Sequence, residues 1–67
     1  MHSDNLDLQI ERKRAGITQD VMAVHLETSP SSLSKFETGR LVVLPNGKGR
    51  EEYTAVLRQL AATAAAS

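Results

Sequence analysis

The 67-residue sequence contains no cysteine and only two histidines, which stand far apart at His2 and His25. Without cysteine, neither a disulfide bond nor a thiolate metal site can form. The two histidines alone provide no metal-binding cluster and no nucleophile–base pair. We therefore expect no metal, no cofactor and no catalytic site, and we predict that the protein is not an enzyme.

The sequence also lacks a long apolar run. No segment is long enough to span a bilayer, and the N-terminal residues include Asp4 and Asp7 where a secretory signal peptide needs an apolar core. A chain of this length buries only about 60% of the surface that its unfolded form exposes, so residues 1–67 make one marginally stable domain that dimerisation would help. These features predict a soluble, cytoplasmic protein without membrane contact.

Hydrophobic spacing and capping residues predict an all-α domain of about four helices. The first helix is expected from about Asp4 to Ala15, with Ser3 or Asp4 as N-cap and Gly16 at its end. Its buried side stays open, since two stripes compete: Leu6 with Ile10, and Leu8 with Arg12 and Ala15.

Residues 18–39 predict two short helices joined by a tight turn. Thr18 caps a helix from Gln19 to Leu26, whose inward residues Met22, Ala23 and Leu26 follow helical spacing. Ser29 caps the next helix, Pro30 occupies its first position, and Gly39 closes it. Within this second helix Leu33, Phe36 and Glu37 point one way, and the opposite face carries Pro30, Ser31, Ser34, Lys35 and Thr38. An uncluttered polar face at a helix start is how a protein presents side chains to the major groove of DNA.

A short apolar run, Leu41 to Leu44, precedes the turn-rich segment from Pro45 to Gly49. Asn46-Gly47 is typical of a hairpin, but no alternating strand follows, so we predict a loop. A last helix is expected over about residues 50–65, with helical spacing of Tyr53, Val56, Leu57, Leu60 and Ala64.

Over about half its length the chain resembles the phage repressor and Cro-like (Xre-type) helix-turn-helix family. The resemblance is carried by Arg12, Gly16, Ile17, Thr18, Gln19, Met22, Ala23, Leu26, Ser29, Leu33, Ser34, Phe36, Glu37, Gly39 and Arg40. It implies a lambda-repressor-like fold and a sequence-specific transcription regulator of the repressor or Cro/C1 type, of phage or bacterial origin. It further implies that Gln19 and the start of the third helix lie against DNA, and that Arg12 pairs with Glu37.

The sequence departs from the family pattern at three places. Glu27 stands in the turn between the second and third helices, where glycine is usual, and is expected to adopt a positive φ. Glu11 replaces a commonly apolar residue of the first helix, and the loop 41–49 is longer than usual.

The predicted base contacts are Ser31, Ser34 and Lys35, with Pro30 and Thr38 at the margin. Lysine can donate to guanine O6 and N7, serine can donate or accept, and proline can only touch a thymine methyl group. The predicted phosphate contacts are Gln19, Ser29, Ser32, Arg40, Lys48 and Arg50. The alternatives are that Lys35 is a solvated or phosphate-binding lysine, that the serines serve as caps, and that Lys48 and Arg50 belong to a solvated loop.

The predicted ion pair between Arg12 and Glu37 also follows from burial. Glu37 falls on the core side of its helix, where an unpaired carboxylate is costly. The alternative is a solvated acid at the helix end.

Charge is balanced overall but not along the chain. Eight basic and eight acidic residues give a net charge of zero, which by itself argues mildly against nucleic-acid binding. From Lys35 to Arg50, however, the only acidic residue is Glu37, whereas four residues are basic: Lys35, Arg40, Lys48 and Arg50. A neutral protein with such a patch is expected to bind random DNA weakly and to favour selected sites.

The expected partner is double-stranded DNA, which would associate the protein with the nucleoid. One recognition helix reads few base pairs, so we expect a homodimer on half-sites about 34–36 Å apart. Its predicted surface comprises Leu41, Val42, Val43, Leu44 and Tyr53, unless the apolar run packs on its own core. The alternative function is a protein-interaction module, antitoxin-like or binding RNA polymerase or another regulator, with DNA binding secondary.

Overall fold

The computed structural model describes residues 5–66, with side-chain environments for residues 5–63. It contains four helices and no strand in that range: α1 Leu6–Arg14, α2 Gln19–His25, α3 Pro30–Glu37 and α4 Arg50–Ala66. The predicted all-α class with about four helices is confirmed. None of the helices described is both long and apolar enough to cross a membrane.

The first helix begins at Leu6, later than predicted, and the proposed caps Ser3 and Asp4 lie outside the described residues. Asn5 precedes α1, and its side-chain Nδ2 donates to the Phe36 carbonyl at 2.9 Å, while its backbone N–H donates to the Glu37 carbonyl at 3.1 Å. The start of α1 is therefore tied to the end of α3.

Of the two competing stripes on α1, the one containing Leu8 and Arg12 faces the core. Both side chains are buried, whereas Leu6 and Ile10 are exposed. This choice places the Arg12 guanidinium inside the molecule, where it needs a partner.

The first three helices end in the same way. In each, the residue two positions beyond the helix has a positive φ: Gly16 at 74°, Glu27 at 58° and Gly39 at 88°. For α2, the Glu27 N–H donates to the Val24 carbonyl at 3.1 Å and the Thr28 N–H to the Ala23 carbonyl at 2.9 Å, which is the Schellman pattern. The predicted positive φ of Glu27 is confirmed.

The core joins α2, α3, the following loop and α4. It contains Met22, Ala23, Leu26, Leu33, Phe36, Leu44, Tyr53 and Leu57, together with Leu8 and Ile17. The rings of Phe36 and Tyr53 stack with centroids 5.9 Å apart. Such aromatic pairs contribute about 0.5–1.5 kcal/mol beyond the area they bury.

Two residues of the predicted dimer surface belong to this core instead. Leu44 is 1% exposed and Tyr53 is 0% exposed, so their assignment to a surface was wrong. The loop folds back on itself, with the Leu44 N–H donating to the Lys48 carbonyl and the Gly47 N–H to the Leu44 carbonyl, both at 2.8 Å. This turn directs Leu44 inward, while Val42 remains 81% exposed.

Candidate nucleic-acid interface

Helix α3 separates a buried side from a solvent side. Leu33, Phe36 and Glu37 are fully buried. The predicted base-contact residues lie on the other side, where Pro30, Ser31, Lys35 and Thr38 are exposed and Ser34 is half-buried. The side chains at the start of this face are short, so the helix backbone can approach a partner closely.

The start of α3 is fixed by its own serines. The Ser29 hydroxyl accepts a hydrogen bond from the Ser32 N–H at 3.1 Å and donates to the Ser32 hydroxyl oxygen at 3.0 Å. With Ser29 as the donor of this bond, its only hydroxyl hydrogen is used and the Ser32 hydroxyl keeps its own. Of these two predicted phosphate contacts, Ser32 is the one with a side-chain donor to offer.

Lys35 and Thr38 differ in what they can offer a base. The Lys35 ammonium makes no hydrogen bond or ion pair within the described part of the chain, and it is exposed. The Thr38 hydroxyl donates to the Ser34 carbonyl of its own helix at 2.9 Å. Thr38 can thus accept a hydrogen bond or contact a methyl group, but it is not a free donor.

A buried polar cluster centred on Glu37 holds α3 against the other helices. Arg12 Nε donates to Glu37 Oε2 at 2.8 Å, and Arg12 Nη1 donates to the Ile17 carbonyl at 2.8 Å. The Tyr53 hydroxyl also donates to Glu37 Oε2. The carboxylate accepts further hydrogen bonds from the side-chain amides of Gln9 at 3.2 Å and Gln19 at 3.1 Å. Every helix thus contributes to one cluster.

The protonation states in this cluster follow from burial and hydrogen bonding. Burial by itself raises the pKa of Glu37, but hydrogen bonds from Arg12, Tyr53 and Gln19 outweigh it and hold the pKa below its ordinary value. Burial raises the pKa of Tyr53, and the bond it donates to Glu37 raises it further. Burial opposes the charge of Arg12, yet the neighbouring Glu37 raises its pKa overall. Glu37 is therefore a carboxylate, Tyr53 a phenol and Arg12 a cation.

Gln19, a predicted phosphate contact, is the first residue of α2 and is half-buried. Because Glu37 can only accept, the Gln19 amide nitrogen faces the cluster, and one of its two hydrogens remains for another acceptor. The Thr18 hydroxyl accepts from the Val21 N–H at 3.2 Å, which leaves earlier N–H groups of the helix start without an intrahelical partner.

The remaining predicted phosphate contacts fall into two groups. Arg40 is exposed just beyond α3. Lys48 Nζ instead lies 2.9 Å from Glu27 Oε1, and Arg50 forms an ion pair of 2.8 Å with Asp7 and donates to Asn5 Oδ1 at 2.7 Å. The structure brings Lys48 to the helix-turn-helix turn and Arg50 to the start of α1.

Asn46 connects the loop before α4 to the turn between α2 and α3, a role that the sequence does not indicate. Its side-chain Nδ2 donates to the carbonyls of Leu26 at 2.8 Å and Glu27 at 3.0 Å, so the loop holds the turn that leads into α3. The Lys48 N–H donates back to Asn46 Oδ1 at 3.2 Å. The Asn46-Gly47 pair signalled a turn, but nothing local indicates a contact with residues 19 and 20 positions earlier.

Within residues 5–66, no group of three or more acidic or histidine side chains is placed to hold a metal ion. Exposed Glu51 and Glu52 lie in the first turn of α4, where a helix dipole favours acids. His25 is exposed at the end of α2.

A family described as a helix-turn-helix domain matches residues 7–67, nearly the whole chain. Comparison with curated proteins and with solved structures gave no match. A helix-turn-helix domain is in general a DNA-binding unit of regulators, with its second helix in the major groove. The resemblance seen in the sequence is thus confirmed at this level, and the chain belongs to the helix-turn-helix domain family.

Proposed function

We propose that this protein is a sequence-specific transcription regulator of the repressor or Cro type, which reads the major groove with α3. The observation that carries the proposal is the exposed, short-chain polar face of α3 on a helix whose other side is fully buried. A helix fixed in this way presents its side chains in one orientation, which sequence reading requires.

Lys35 is the central base-reading residue of the proposal. Its ammonium is exposed on the solvent side of α3, and lysine can donate to O6 and N7 of guanine. Ser31 and Ser34 supply short groups that both donate and accept, and Pro30 and Thr38 can contact a thymine methyl group. Because these side chains are short, water and DNA shape contribute to selectivity.

Phosphate contacts orient the protein without reading sequence. Gln19 offers its remaining amide hydrogen, Ser32 its hydroxyl and Arg40 its guanidinium. These groups lie on either side of the start of α3 in the chain. Binding should weaken with salt, with a log–log slope of about −0.9 for each phosphate contacted.

We further propose that the protein binds as a homodimer to two half-sites about 34–36 Å apart. Val42 and Val43 remain for this contact, because Leu44 and Tyr53 belong to the core and Leu41 is partly buried against it. Val42 is 81% exposed in the loop that follows α3, so a symmetric contact there would set the separation of the two recognition helices.

A gel-shift measurement tests the proposal. Fragments of the source genome are incubated with the wild type, Lys35→Ala and Gln19→Ala. Arg58→Ala serves as a control, since Arg58 is an exposed basic residue on α4. We expect Lys35→Ala to lose about 1–3 kcal/mol at a preferred fragment and the control to lose little. Salt-sensitive binding that neither Lys35→Ala nor Gln19→Ala changes would contradict the proposal.

A protein-interaction module is the second candidate. Val21 and Val24 are exposed on the outer side of α2, away from the buried Met22 and Ala23. An antitoxin-like protein or a partner of RNA polymerase would use such a surface. In the same gel shifts, a complete absence of DNA binding by the wild type favours this candidate.

A further inference from the structure

The ion pair between Glu27 and Lys48 joins the helix-turn-helix turn to the loop before α4. Lys48 Nζ lies 2.9 Å from Glu27 Oε1, with the Lys48 side chain 30% exposed and that of Glu27 77% exposed. The hydrogen bond from Lys48 and the nearby charge of Lys48 lower the pKa of Glu27 further below neutrality.

Both partners of this pair are held by backbone contacts. Glu27 has a φ of 58° in the Schellman ending of α2, and its carbonyl accepts from Asn46 Nδ2 at 3.0 Å. The Lys48 N–H donates to Asn46 Oδ1 at 3.2 Å, and its carbonyl accepts from the Leu44 N–H at 2.8 Å. These contacts hold the backbone of Glu27 close to that of Lys48, so the two side chains of the pair start from neighbouring, fixed backbone positions.

That position is next to the proposed reading helix. Glu27 stands two residues before Ser29, the N-cap of α3, so their Cα atoms are at most about 7–8 Å apart. If the start of α3 enters a major groove about 12 Å wide, as proposed above, the pair lies near the phosphates that line the groove. A phosphate that approaches Lys48 also approaches the carboxylate of Glu27.

Resting on the proposed function, we propose that Glu27 withholds Lys48 from the DNA backbone and thereby sets how weakly the protein binds DNA of arbitrary sequence. Binding to arbitrary sequence depends on cations that displace counterions from phosphates. A Lys48 neutralised by Glu27 displaces none, so discrimination is left to the uncharged side chains and Lys35 on α3. Glu27 is then a specificity-determining residue, although it contacts no base.

The test measures the dissociation constant for a mixed-sequence duplex between about 50 and 200 mM salt. Glu27→Gln removes the charge and keeps the size. We expect tighter binding at low salt and a slope of log affinity against log salt that is steeper by about 0.9. The dissociation constant at about 200 mM salt divided by that at about 50 mM then rises about 3.5-fold over the same ratio for the wild type. Glu27→Gly makes the same charge change in a residue that suits a positive φ, so a folding defect of the glutamine variant cannot mask the result.

Two further variants isolate the cause. Glu11→Gln makes the same change of net charge at an exposed ion pair on α1, where Glu11 lies 3.7 Å from Arg14, and should leave the slope unchanged. The double variant Glu27→Gln, Lys48→Gln should return the slope to that of the wild type.

The outcomes separate this inference from the proposed function. If the wild type binds DNA and both Glu27 variants have its salt slope, the inference alone is overturned. A steeper slope that persists in the double variant also overturns the inference alone. Absence of DNA binding by the wild type and by every variant overturns the proposed function and the inference together.

Discussion

At the residue scale, the structure depends on one buried carboxylate. Glu37 is fully buried and accepts hydrogen bonds from Arg12, Tyr53, Gln19 and Gln9. Within the described side chains, every buried polar atom has a hydrogen-bond partner. A fully satisfied network of this kind favours this arrangement of the helices, because separating Glu37 from Arg12 would leave a buried charge unpaired.

Removing Arg12 should therefore be costly. Arg12→Ala leaves Glu37 without its cation and opens space beside Ile17, so we expect a loss of about 3–5 kcal/mol in the free energy of unfolding. For a domain this small, that loss leaves little folded protein. Urea or thermal melting followed by circular dichroism measures it. Arg14→Ala is the control, since Arg14 forms an exposed ion pair of 3.7 Å with Glu11. This substitution should change the free energy of unfolding by less than about 0.5 kcal/mol. Equal melting of the wild type and Arg12→Ala would contradict the account.

The lowered pKa of Glu37 predicts a dependence of stability on acid. The folded state holds the pKa below the ordinary 4.5, so the unfolded state binds the proton more readily. The stabilisation from Glu37 is complete above pH 4.5 and is lost as the pH falls through the folded-state pKa. A carboxyl-carbon NMR titration of Glu37 should give a midpoint below 4.5, with unfolding becoming easier over the same range. A midpoint at or above that value would show that burial outweighs the hydrogen bonds.

Only part of this cluster could be predicted from the sequence. The family resemblance implies the pairing of Arg12 with Glu37, and the cost of an unpaired carboxylate on the core side of a helix supports it; the structure places the two 2.8 Å apart. Tyr53 was instead expected at a dimer surface. Helical spacing shows that Tyr53 faces inward on α4, but it does not show which helix α4 packs against. A contact between Tyr53 and Glu37 depends on tertiary packing, which no local pattern encodes.

At the element scale, the endings of the helices were more predictable than their beginnings. The sequence predicts helix ends at Gly16 and Gly39 because glycine readily adopts a positive φ, and both residues have one. The start of α1 was placed too early because Asp4 is a good cap by composition, whereas the described helix begins after Asn5, which bonds to the end of α3. The buried stripe of α1 stays open from spacing alone, because both stripes recur at helical intervals; the structure buries the one with Leu8 and Arg12.

The ending of α2 predicts a stabilising substitution. Glu27 is the one non-glycine residue with positive φ in the described chain, and this conformation costs an L-residue roughly 1–2 kcal/mol. We expect Glu27→Gly to raise the free energy of unfolding by about 0.5–1 kcal/mol. Glycine removes the backbone strain at this position, but it also gives the unfolded chain more conformational freedom, which offsets part of the gain. Chemical denaturation measures the change.

The opposite substitution provides the control. Gly16→Ala at φ 74° meets no atom within 4 Å, so its effect reports backbone conformation alone, and we expect destabilisation of about 1 kcal/mol. If Glu27→Gly also destabilised the protein, the contact with Lys48 would outweigh the backbone strain.

At the scale of the whole molecule, zero net charge and DNA binding are compatible because charge is placed unevenly. Lys48 and Arg50 are engaged by Glu27 and Asp7, while Lys35 and Arg40 are exposed at α3 and just beyond it. The sequence predicted the basic stretch from Lys35 to Arg50, but not that acids from earlier in the chain would neutralise half of it. Those pairings join residues 21 and 43 positions apart, so only the fold creates them.

We propose that the exposed face of α3 reads base pairs, and selection from a random-sequence duplex library measures this property. The wild type, Lys35→Ala and the control Arg58→Ala are each used to enrich bound duplexes, which are then sequenced. The account predicts a shared motif for the wild type and the control, and loss of preference at one guanine position for Lys35→Ala, by about 1–3 kcal/mol. An identical motif for all three proteins, or no enrichment by the wild type, would contradict it.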